Sequence, residues 1–69
     1  MPRCNGELKK LRLEAGLSQN KLASRSDLDR ATISSAERGG EVTDLTLSKL
    51  ASALSKALNI AVPASRLQV

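Results

Sequence analysis

The sequence predicts an all-α domain of four or five short helices. Three observations carry this expectation. Apolar residues recur at spacings of three and four along several segments. Residues that start or stop helices, among them Ser18, Asp29, Gly16 and the Gly39-Gly40 pair, fall between those segments. A chain of 69 residues allows one small domain, here 1–69, and one small core. No aromatic residue is present, so that core is built from Leu, Ile, Val and Ala.

Asn5 can cap a first helix running to about Ala15, with Gly16 just past its end. Leu8, Leu11 and Ala15 face inward; Lys9, Lys10 and Glu14 lie elsewhere. Ser18 is a good cap for a second helix, about Gln19 to Ser26, whose buried side is Leu22 and Ala23. A turn follows at Asp27-Leu28, where Asp tolerates the left-handed conformation better than most residues with a side chain. Asp29 then caps a third helix, about Arg30 to Arg38, with Ile33, Ala36 and Glu37 on its inner side. Gly39-Gly40 stops it, and residues 40–45 form a loop. A fourth helix runs from about Thr46 to Leu58. Its apolar stripe is Leu47, Leu50, Ala51, Leu54 and Leu58, and Asn59 can end it. The tail reads two ways: Ile60-Ala61-Val62 as a short strand, or Pro63 as the first residue of a short fifth helix through Leu67.

Composition narrows the function. Eleven basic against seven acidic residues give a net charge of +4, which suits a polyanionic partner. The lack of aromatic platforms argues against stacking single-stranded bases. No histidine is present, which removes the commonest general base and metal ligand. With no paired carboxylates on one face and no phosphate-cradling glycine loop, the expectation is no enzyme, no cofactor and no metal. Cys4 is the single cysteine, near an N-terminus expected to fray, and reads as incidental. No apolar run reaches the ~18 residues of a membrane span, and no signal sequence opens the chain. The expected setting is the cytoplasm.

The segment Leu17 to Gly39 concentrates the functional signal. Two helices must cross steeply at close range, and Ala23 is small where they meet. Leu28 and Ile33 pin the turn and the far helix. Arg30, Ala31, Ser34 and Ser35 then face outward. They are mostly short, so the backbone can approach base edges. Arg30 and Ala31 occupy the first turn, the part of a recognition helix that meets bases. This is the layout of a DNA-reading helix-turn-helix, spanning 18–38.

The stretches LRLEAGLSQNKLA, ATIS, AERG and LTLSKLASAL, from about Leu8 to Leu54, resemble the lambda-repressor-like domain of the Cro/repressor helix-turn-helix family of bacterial and phage regulators. The resemblance implies further roles. Gln19 would contact a DNA phosphate and buttress the third helix. Arg12 and Glu37 would form a partly buried salt bridge. Arg38 and the Gly39-Gly40 loop would lie near phosphate. The chain departs from the family pattern at several points. Asp27 replaces the usual turn glycine, Ser26 and Ala36 replace larger apolar residues, the 40–45 loop is shorter and lacks a proline, and the helix after Leu54 is extended by roughly a turn.

The implied function is a sequence-specific double-stranded DNA-binding transcriptional regulator, a repressor acting as a homodimer on a palindromic operator. Alternatives are an antitoxin with a cognate toxin partner, a restriction–modification controller, or a protein-interaction module without DNA. Large apolar side chains on the 30–38 surface would favour the last, and there are none. Leu54, Leu58, Ile60, Val62 and Leu67 exceed what one small core requires. Residues 54–69 are therefore expected to dimerise, through a contact that includes Leu58, Ile60 and Val62.

Overall fold

Each helix ends where the sequence supplies a residue able to redirect the chain. The computed structural model describes residues 1–69. Its helices are α1 (Glu7–Glu14), α2 (Gln19–Ser26), α3 (Arg30–Glu37), α4 (Asp44–Leu58) and α5 (Ala64–Leu67). Asn5 acts one residue further out than expected: its Oδ1 accepts from the Glu7 N–H at 2.9 Å, while Gly6 occupies the cap position. Ser18 caps α2 as expected, accepting from the Lys21 N–H at 3.1 Å. Asp27 does adopt the left-handed conformation, with φ 57° and ψ 47°. Leu28 N–H then reaches back to the Ala23 carbonyl at 2.9 Å, closing the turn. Ser26, buried at the end of α2, donates its hydroxyl to the Leu22 carbonyl, so no polar group is stranded there.

Three boundaries differ from the expectation. Asp29 holds the cap position of α3, but its carboxylate accepts no cap bond. The Thr32 N–H is satisfied by the Asp29 carbonyl instead, at 3.0 Å. Helix α3 stops at Glu37 with Arg38 as its C-cap. Helix α4 starts two residues early, because Thr43 Oγ1 accepts from the Thr46 N–H at 3.0 Å and Asp44 adds an acid to the first turn.

The tail resolves toward the helical reading. Pro63 is the residue before α5, and 60–62 form no strand. Ser55 stitches this connection, accepting from the Val62 N–H at 3.0 Å and donating to the Ala51 carbonyl at 2.8 Å. Val62 and Leu67 are buried, as is Leu54, so the tail folds onto its own protomer. This corrects the expected dimer contact at Val62, whose side chain is taken up by the core. Leu58 is half-buried, and Ile60 stays 49% exposed.

The N-terminal arm is a second correction, since it does not fray. Pro2 carbonyl accepts from Val42 N–H (2.9 Å), Asn5 N–H donates to Leu67 carbonyl (2.8 Å) and Val69 N–H donates to Arg3 carbonyl (2.9 Å). The arm is thus sandwiched between the loop after α3 and the C-terminal tail. Cys4 in its centre is 2% exposed and belongs to the core, and burial pushes its thiol pKa up.

The core gathers Leu8 and Leu11 of α1, Leu22 of α2, Ile33 of α3, Leu50 and Leu54 of α4 and Leu67 of α5. Ala23 and Ala36 are also buried. The folded-back tail has a measurable consequence. Leu67→Ala should cost about 2–5 kcal/mol by leaving a cavity among all-aliphatic neighbours. Ile60→Ala, at a half-exposed site, should cost far less. Urea unfolding of the two variants checks this; equal and small losses would mean the tail is not docked.

Candidate nucleic-acid interface

Glu37, near the C-terminal end of α3, accepts three hydrogen bonds from two residues. Arg12 of α1 meets it with a two-pronged contact, Nε to Oε2 at 2.5 Å and Nη2 to Oε1 at 3.1 Å. The third arm of the same guanidinium, Nη1, donates to the Leu17 carbonyl at 2.8 Å. Gln19 Nε2 donates to Glu37 Oε1 at 3.1 Å. The pair's side chains are only 9% and 5% exposed, so the charges are desolvated but fully engaged. Burial alone would push the Glu37 pKa up. The hydrogen bonds from Arg12 and Gln19, with the charges of Arg12 and Lys9, outweigh it and hold the carboxyl below its ordinary range. The expected salt bridge is present, and one expected role of Gln19, bracing α3, is met directly.

On the outer side of α3, Arg30 and Ala31 are exposed and Ser34 and Ser35 half-exposed. Arg30 makes no ion pair within the protein. Arg38 is exposed and donates Nη1 to Ser34 Oγ at 3.2 Å, which draws the last cation of the segment along the helix surface. The five residues therefore form one continuous face. Gln19 sits apart, half-exposed at the start of α2, with its amide partly used on Glu37.

A shallow groove flanks this face. Its walls are Ala31, Thr32 and Ser35 of α3 on one side, and Glu41, Thr43 and Thr46 on the other. Thr32, Thr43 and Thr46 were not anticipated as part of the site. The signal for Thr43 was in the sequence, as a threonine followed by an acid at a helix start. Glu41 is engaged by Arg3 at 3.4 Å, an exposed pair. Met1 and Val42 complete the lining, so the groove mixes hydroxyls with apolar surface and has a partly neutralised acid at its edge.

A helix that shows solvent one arginine and a row of short polar side chains, braced from behind by a buried ion pair, defines a DNA-binding helix-turn-helix domain. The helix-turn-helix family profile matches residues 8–60. The chain is also similar to the restriction-modification controller protein C.AhdI from Aeromonas hydrophila. The two are 45% identical, over 70% of this chain and 74% of that one, with a TM-score of 0.67. No curated protein matches significantly. The chain belongs to the helix-turn-helix family of the Cro/repressor type and is a DNA-binding transcriptional regulator.

The buried pair sets a pH dependence. Because the folded pKa of Glu37 is lowered, its contribution is fully present above the unfolded value, near ~4.3, and is lost as pH falls through the folded pKa. Wild type should therefore lose stability steeply below about pH 4.3, and Glu37→Gln should flatten that slope. At neutral pH, Glu37→Ala should cost about 3–5 kcal/mol by stranding Arg12, while Arg12→Met with Glu37→Leu should be milder. Thermal melts from pH 3 to 7 check both; a Glu37→Ala melt matching wild type would contradict the buried pairing.

Proposed function

We propose that this regulator binds a two-fold-symmetric operator as a homodimer and, by occupying it, controls transcription of a restriction–modification system. The carrying observation is the outer face of α3. Arg30, Ala31, Ser34 and Ser35 present small or extended polar groups, with no large apolar side chain and no acid beyond Asp29 at the cap. A surface of that kind fits the major groove and does not fit a hydrophobic protein partner. Arg30 is suited to the O6 and N7 of a guanine, Ala31 to a thymine methyl, and the two serines to base edges or phosphates. Gln19 and Arg38 flank the face and are assigned to phosphates, which would supply most of the affinity. The controller class is supported by the 45% identity to a protein described as a restriction-modification controller. A cognate toxin draws no such support.

The dimer follows from the economy of recognition. One helix reads only a few base pairs, and two-fold pairs of helices read half-sites about 34 Å apart. Leu58, half-buried, and Ile60, exposed, form an apolar lip at the end of α4 where a second copy could pack.

Binding to duplexes selected from a random pool tests the DNA contact. Arg30→Ala should cost about 1–3 kcal/mol on the selected site and relax preference at one base pair, with little change on random duplex. Equal losses on both would exclude base reading by Arg30. For the assembly, sedimentation at micromolar concentration should give a dimer, and Leu58→Asp with Ile60→Asp should give a folded monomer. A wild-type chain that remains monomeric both free and on the selected duplex would rule the homodimer out.

A further inference from the structure

The two glycines that end α3 do different work. Gly39 provides the left-handed turn, with φ +83°, and open space surrounds the point where its Cβ would stand. Gly40 provides room. Its N–H donates to the Ser35 carbonyl at 2.9 Å, which pulls the loop against the last turn of the helix. A Cβ at Gly40 would lie 2.5 Å from Ser35 Oγ, 2.8 Å from the Ser35 carbonyl oxygen and 3.3 Å from its carbonyl carbon. The hydroxyl could rotate away; the carbonyl group, fixed in the helix, could not.

The loop has little freedom to retreat. Two residues on, Val42 is buried and its N–H is held by the Pro2 carbonyl at 2.9 Å. The segment is thus tied to Ser35 at one end and to the N-terminal arm at the other. A side chain at 40 would be absorbed by the Ser35 rotamer and the end of α3. Ser35 lines the groove beside the DNA-facing surface, together with Ala31 and Thr32. Ser34 Oγ is already engaged by Arg38, whereas the Ser35 hydroxyl has no partner in the protein.

We propose that Gly40 is a specificity-determining position that acts through Ser35, its missing Cβ leaving room for the rotamer in which that hydroxyl meets a base. This rests on the reading of α3 as the base-reading helix. Gly40 is a positioning residue and touches no base itself.

The test uses the full chain and duplexes selected from a random pool with wild-type protein. Affinities are measured for the selected duplex, for each of its single-base variants and for random duplex. Gly40→Ala should weaken the selected duplex by about tenfold and flatten preference at the same base pair as Ser35→Ala. Random duplex should change less than about twofold, and the double variant should lose no more than either single one. Gly6→Ala, at a right-handed glycine with open space, should leave every affinity unchanged. If Gly40→Ala melts below the assay temperature, one glycine inserted after Gly40 loosens the same approach without a side chain, and should flatten the same base pair. Wild-type base preferences in the folded variant overturn the proposal and leave DNA binding intact. So does a uniform loss across all duplexes, the mark of a merely structural role. Failure of wild type to enrich any duplex overturns the reading of α3 itself, and the role of Gly40 with it.

Discussion

The geometry of α3 is tied to one buried ion pair. Arg12 brings together three parts of the chain that hydrophobic contact alone would leave loosely registered: α1, the turn at Leu17 and the end of α3. Apolar packing is non-directional, and a core of Leu, Ile, Val and Ala without a single ring has few shapes that lock one arrangement. The guanidinium fork is directional. Two of its arms fit the Glu37 carboxylate only when α1 and α3 are aligned, and the third fits the Leu17 carbonyl only when the turn before α2 is in place. Gln19 then transmits the position of α2 to the same carboxylate. Burying both charges is costly, and replacement by apolar groups need not weaken the fold. What apolar groups lack is the directional hydrogen bonding that the guanidinium makes to both Glu37 and Leu17.

The close approach of α2 and α3 complements this device. Ala23 is small and buried on α2, and the left-handed Asp27 turns the chain sharply between the two helices. A non-glycine residue in that conformation carries a strain of order 1 kcal/mol. The surrounding bonds, Leu28 to Ala23 in the backbone and Ser26 to Leu22 from the side chain, hold the turn against it. Asp27 also lies 3.7 Å from Lys49 of α4, although an ion pair this exposed contributes little.

Most of this could be read from the residues. The helical spacing of Leu8 and Leu11, of Leu47, Leu50 and Leu54, and the caps at Ser18 and Asn59 are local signals, written within one or two turns of the chain. The outward positions of Arg30 and Ala31 follow from the same local periodicity. What was not legible depends on pairing across the sequence. Nothing in Pro2-Arg3-Cys4 announces that it will lie between Val42 and Val69. The bonds involved use backbone groups, which every residue except proline offers alike. Val62 and Leu67 likewise resembled interface residues because their burial depends on where α5 comes to rest. The early start of α4 was local and could have been found, since Thr43-Asp44 is a good cap. The silent carboxylate of Asp29 could not, because a competing backbone bond to Thr32 decides it.

The arm gives the two ends of the chain a common anchor beside the loop that follows α3. Its carbonyls and amides pair with the loop leaving α3 on one edge and with the tail after α5 on the other. Asn5 strengthens the second edge, donating its side-chain amide to the Arg66 and Gln68 carbonyls at 3.0 and 3.2 Å. A displacement of the tail would have to break these bonds or move the arm, and moving the arm pulls on Val42 and the groove wall. The end of the chain that carries α5 and the loop beside the reading helix are therefore not mechanically independent.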